Sequence, residues 1–193
     1  MDPSIEAASS LVSPRYGAVA IAFHWLLALA IAASFGVGLY MSDLPFSVAR
    51  VKLINYHKWA GITILALSAL RLLWRLSHRP PPMSSRVLAA MPPWQQRAAR
   101  LSHVSMYVLF FAVPLLGWAY TSAAGLPVVW FGVLPLPDFV PMDRDLAKAL
   151  LKPLHAYAAF TLAAVVALHV AAALKHQFID RDNLMARVWF TRH

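Results

Sequence analysis

Four apolar stretches constrain this chain more than anything else in it. They lie at about 19–41, 54–76, 104–124 and 154–175, and each is near the twenty or so residues that an α-helix needs to cross hydrocarbon. Between them they take up much of a 193-residue chain that is 60% hydrophobic and 13% charged. An average soluble domain carries about 25% charged residues, so the solvent implied is lipid. A disordered polar chain is excluded, because it could not present so much apolar surface to water. The fold class expected is all-α, an integral membrane four-helix bundle, with residues 1–193 forming a single domain. Residues 1–18 carry one basic residue, Arg15, and lack the charged start of a secretory signal. The first apolar run is too long for a signal core, so the first helix is expected to be retained. The proline-rich connections 77–103 and 125–153 read as loops.

The formal charge is +9. In a soluble protein that surplus would suggest nucleic acid; beside apolar spans it sets topology and meets anionic lipid headgroups, so no nucleic-acid partner is expected. Arg15, Arg71, Arg75, Arg79, Arg86, Arg97, Arg100, Lys175, Arg181, Arg187 and Arg192 fall on one side, eleven in all; Arg50, Lys52, Lys58, Arg144, Lys148 and Lys152 make six on the other. Acids divide evenly, so the positive-inside rule places both termini in the cytoplasm, with helices 1 and 3 running outward. Cysteine is absent. Disulfides, thiolate metal sites, iron–sulfur clusters and covalent c-type haem are thereby excluded, and any cofactor must be held by nitrogen or oxygen.

Five histidines, His24, His57, His103, His155 and His169, lie in or at the mouth of a span, where strongly polar groups are rare and mark functional sites by default. His155 and His169 are fourteen residues apart on one helix; at about 100° and 1.5 Å per residue they share a face and stand about 21 Å apart in depth. His24 matches His169 in depth near the cytoplasmic surface, and His57 matches His155 near the outer surface. Two imidazole pairs at two depths, with one helix contributing to each, suit two flat cofactors clamped from both axial sides. Bis-imidazole ligation of haem iron explains the pattern best. Tetrahedral zinc would gather three or four ligands at one point. A proton relay and plain polar packing between helices remain as alternatives.

Four segments, "FHWLL" at 23–27, "YHKWAGITILALSALRLLWRL" at 56–76, "SHVSMYVLFFAVPLLGW" at 102–118 and "LHAYAAFTLAAVVALHVAAALKHQFIDRDNLMARV" at 154–188, together resemble the prokaryotic di-haem cytochrome b561 family. The resemblance implies a multi-pass protein of the bacterial cytoplasmic membrane that holds two non-covalent haems b and passes electrons between the periplasmic face and the quinone pool. It assigns His24 with His169 to one iron and His57 with His155 to the other. Among the donors it allows is superoxide, with ubiquinone as acceptor. It equally allows an electron-transfer subunit serving a partner dehydrogenase or hydrogenase, and a homodimer is compatible with either. A haem-free transporter is the outlying alternative.

Secondary candidates surround these pairs. Arg71, fourteen residues beyond His57, and Arg75, one turn later, reach the cytoplasmic level; either could pair with a haem propionate, the alternative being snorkelling to lipid phosphate. His103 could bond a propionate or line a quinone site. His176, seven residues past His169, is the candidate catalytic residue, protonating a bound quinone, although a histidine at a helix end also complements the helix dipole. Lys58 and Lys152, on the basic outer rim, are candidate cofactor-binding residues. For that rim, headgroup contact with propionate pairing is preferred over steering of an anion such as superoxide.

Overall fold

The computed structural model describes residues 14–189, apart from the side chain of Arg86. Arg192 and the Arg86 side chain, both counted in the charge asymmetry, therefore lie outside the described residues. Four long helices form the body: α1 (Ala18–Asp43), α2 (Val48–Ser77), α4 (Pro93–Ala123) and α5 (Arg144–Asp180). All four are long and apolar enough to cross a membrane. A six-residue helix α3 (Ser85–Ala90) lies between α2 and α4, and a short 3₁₀ turn, Leu184–Arg187, follows α5. The fold is an all-α membrane bundle.

The helices overrun the apolar stretches, and the reason is local. Ser47 caps α2 by accepting a hydrogen bond from the Arg50 amide, so the helix starts at Val48 rather than near 54. Pro93 occupies the first turn of α4, where its missing N–H costs nothing and its fixed φ favours a helical start. Residues 94–103 then continue as helix although they are too polar to register as a span. The stretch 77–103 is thus only partly loop. In α5 the ladder widens into a π turn over Ala147–Leu151, just ahead of Pro153, whose absent N–H interrupts regular i→i−4 bonding. A second π turn, His176–Asp180, ends the helix. The connection 125–153 is likewise structured, with α5 beginning at Arg144 and a small antiparallel hairpin, β1 (Val129–Trp130) with β2 (Leu134–Pro135), preceding it.

Neighbouring backbones pack as α1 on α2, α2 on α4 and α4 on α5. Neither α1 nor α2 makes comparably close backbone packing with α5. A small apolar core fills the middle of the bundle: Met106 and Phe110 from α4 meet Leu162 from α5, with Ile31, Val113, Val165 and Val166 against them. Phe35 of α1 and Phe160 of α5 also meet edge to face. Leu162 is seven residues from both His155 and His169, so this core separates the two levels at which those histidines stand. Many large apolar side chains, Leu29, Leu73, Val108 and Leu168 among them, face outward, as lipid-facing positions do.

At the end of the bundle where the described residues begin and end, called the terminal end below, the segment 184–189 is tied across its neighbours. Arg187 is buried, donates to the carbonyls of Pro14, Pro81 and Pro82, and lies over the Tyr16 ring. Trp25 donates to the Val188 carbonyl at 2.8 Å, and Arg15 to that of Trp189.

Candidate functional site

Helical periodicity and the bundle's topology bring the span histidines together in two groups. At the distal end, opposite the terminal end, the ring centres of His57 on α2 and His155 on α5 are 6.0 Å apart. At the terminal end, those of His24 on α1 and His169 on α5 are 6.4 Å apart. His103, ten residues into α4, joins the second group with its ring edge-on to His169 at 5.3 Å. Each pair spans two helices whose backbones are not closely packed.

Several groups orient these rings. The Nδ1–H of His57 donates to the Ser34 carbonyl at 3.0 Å, and the buried Ser34 hydroxyl lies 3.2 Å from the same nitrogen. The Nδ1–H of His155 donates to the Val113 carbonyl at 3.0 Å. Fixing Nδ1 as the donor leaves Nε2 as the lone-pair nitrogen, the arrangement typical of a metal-ligating histidine with a backbone partner. Two glycines admit the rings. A Cβ on Gly117 would stand 3.0 Å from His155 Cε1, and one on Gly38 would stand 3.3 Å from His57 Cε1. At Gly36 and Gly61, by contrast, an added Cβ meets nothing within 4 Å.

The spacing is a direct test of what such pairs could hold. Two metal–imidazole bonds of about 2 Å, each with a ring centre roughly 1 Å behind its nitrogen, put the centres of trans ligands about 6 Å apart. Both pairs meet that separation, with nitrogen-only donors and no third ligand needed. The residues present therefore fit a b-type haem, in which two axial imidazoles face each other across the ring.

The secondary candidates separate. Arg71 and Arg75 converge on one ring, each with its guanidinium carbon 5.6 Å from the centre of Tyr107 on α4. Lys58 is engaged by backbone, donating to the carbonyls of Pro127 at 2.7 Å and Leu126 at 3.4 Å. Lys152 is exposed. His176 sits among carboxylates: its Nδ1–H donates to Asp182 at 2.6 Å and lies 3.1 Å from Asp180, which also pairs with Lys175. Sequence reasoning missed Ser34, Tyr107, Asp182 and the Val113 carbonyl. A serine inside an apolar span was the signal available for Ser34; a backbone carbonyl leaves none.

The family model for prokaryotic cytochrome b561 matches residues 15–191. "Cytochrome b561 homolog 2" of Escherichia coli (strain K12) is 33% identical over 178 residues, covering 90% of each chain. "Cytochrome b561 homolog 1" of the same organism is 31% identical over 175 residues, covering 90% of this chain and 96% of the relative. "Probable superoxide oxidase CybB" of Yersinia pestis is 29% identical over 175 residues, covering 90% of this chain and 95% of the relative.

Proposed function

Because the chain belongs to the prokaryotic cytochrome b561 family, a family of haem-binding electron-transfer proteins of the bacterial inner membrane, we propose that it holds two haems b and carries single electrons across the bilayer from a periplasmic donor to ubiquinone. The observation that carries this reading is the pair of imidazole separations, 6.0 Å and 6.4 Å, at two levels of one bundle. In it, His57 and His155 hold the distal haem, and His24 and His169 the terminal one. Each haem supplies a one-electron couple; the protein supplies ligation, spacing and an apolar surround. Ser34 and the Val113 carbonyl keep the distal imidazoles in the ligating tautomer. Arg71 and Arg75, two cations over one aromatic ring with no carboxylate partner among the described residues, are placed to receive haem propionates. His103 and His176 line the terminal side, where His176, held by Asp182, passes a proton to quinone. The termini face the cytoplasm by the Lys and Arg asymmetry. Superoxide is the donor that the similarity to the Yersinia protein favours.

Reduced-minus-oxidised spectra and a haem assay on the purified protein test this reading. Two low-spin b-haems per chain are expected, with His57→Ala or His155→Ala removing one and His24→Ala or His169→Ala the other. Loss of the same haem from both sets would refute the pairing, and a colourless protein would refute the function. Rapid reduction by superoxide, followed by electron transfer to a ubiquinone analogue, tests the donor and acceptor.

A further inference from the structure

The distal hairpin has no role in the proposed electron path. Residues 126–137, LPVVWFGVLPLP, contain no charged side chain and no polar one apart from the Trp130 indole N–H. Twelve such residues in a water-facing loop would be an unusual exposure of apolar surface. Val128 is buried, but the side chains around the turn face outward: Val133 is 83% exposed, Phe131 58% and Leu134 51%.

The hairpin does not project away from the bundle either. It lies along α2: Trp59 donates to the Val129 carbonyl at 2.6 Å, Trp130 donates to the Thr63 hydroxyl at 3.2 Å, and the Phe131 ring packs on that of Trp59. Thr63 is fourteen residues from Ser77, the terminal-side end of α2, or about 21 Å along the axis. A hydrocarbon layer about 30 Å thick that begins at Ser77, or anywhere between there and Arg71, still has about 9 Å or more to run when it passes Thr63. Tilting α2 only deepens that position.

Irregular backbone at such a depth must have its polar groups satisfied. Here many of them are accounted for. Pro127, Pro135 and Pro137 have no N–H to satisfy. The amides of Gly132, Val133 and Leu136 donate to the carbonyls of Val129, Trp130 and Val128 within the hairpin. The carbonyls of Leu126 and Pro127 accept from Lys58. The turn closes through Phe131 and Gly132, both in the left-handed region at φ 50° and 73°.

We propose that residues 126–137 form a re-entrant segment seated in the distal leaflet, one face packed on α2 and the other, through Phe131, Val133 and Leu134, in contact with phospholipid acyl chains and headgroups. Three observations favour lipid over a protein partner: the absence of charge, the depth fixed by Trp130 on Thr63, and continuity with a helix that itself spans the membrane. The inference is independent of what the histidines hold.

The absence of native cysteine allows a direct test. Val133→Cys and Phe131→Cys, each carrying a nitroxide label, are reconstituted with haem in phosphatidylethanolamine–phosphatidylglycerol vesicles that contain no other protein. Collision with dissolved oxygen is compared with collision with a water-soluble nickel chelate, against Leu29→Cys as the lipid-facing reference and Asp43→Cys as the aqueous one. The expected result is that both hairpin positions favour oxygen, as position 29 does. Chelate-dominated collision, as at position 43, would overturn the proposal, since a segment awaiting a protein partner would stand in water. Exclusion of both reagents would also overturn it, pointing to a contact between copies of the chain.

Discussion

Replacing Gly117 by alanine tests the distal site with the smallest change available. The added Cβ would lie 3.0 Å from His155 Cε1 and 3.2 Å from Nδ1. Carbon atoms in good contact stay about 3.5–4.0 Å apart, so the ring must retreat by roughly 0.5–1 Å or rotate away from its rotamer minimum. A χ displacement of about 30° costs of order 0.5–1.5 kcal/mol, and retreat also stretches the 3.0 Å bond to the Val113 carbonyl. Together these costs come to about 1–2 kcal/mol against the ligating geometry, or roughly a five- to thirty-fold weaker hold on the haem. The assay is haem per chain after purification, with redox titration of what remains. The expected result is partial loss of one haem and a shifted midpoint for that component, with the other unchanged. Gly36→Ala, where nothing lies within 4 Å, is the control and retains both. If Gly117→Ala retained both haems with unaltered midpoints, or disturbed the component that His24→Ala removes, the account of the distal site would be wrong.

Ser34→Ala should leave both haems in place, because His57 keeps the Ser34 backbone carbonyl as its acceptor; loss of the distal haem would show that the hydroxyl is the group that matters. Lys58→Ala removes the donor to two loop carbonyls; a cost of about 1 kcal/mol should show as faster proteolysis in the adjoining stretch 138–143 and not at the terminal end. Arg187→Ala deprives three carbonyls of their shared donor, so protease should reach residues 184–189 sooner and the melting temperature should fall. Arg187→Lys, unable to span all three acceptors, should restore only part of that protection.

The bundle's main lines were legible because lipid imposes a simple code. Length and hydropathy mark the spans, and a fixed rotation per residue puts His155 and His169 on one face. Matching depths then suffice to bring His24 to His169 and His57 to His155. Helix ends were less legible, since hydropathy reports only the part of a helix inside hydrocarbon; the polar turns 94–103 are as helical as the apolar turns 104–123. The hairpin was unreadable from local propensity, with strands of two residues held by side chains of α2. The same limit applies to the groups that tune the site. Tyr107 meets Arg71 and Arg75 only because α2 and α4 pack at a particular azimuth. Asp182 reaches His176 because the chain turns back at Arg181, which adopts left-handed backbone at φ 52°.

Both imidazole levels hang from α5, and their separation is set by the helical rise of that one element rather than by loops. The about 21 Å between His155 and His169 covers some two-thirds of a hydrocarbon layer about 30 Å thick. Charge transferred between those levels therefore works with or against most of the transmembrane voltage. At about 2.3 kcal/mol per elementary charge per 100 mV for the full span, each electron exchanged would couple to roughly 1.6 kcal/mol per 100 mV. The resting potential of the cell would then bias the redox balance between the two ends of a single helix.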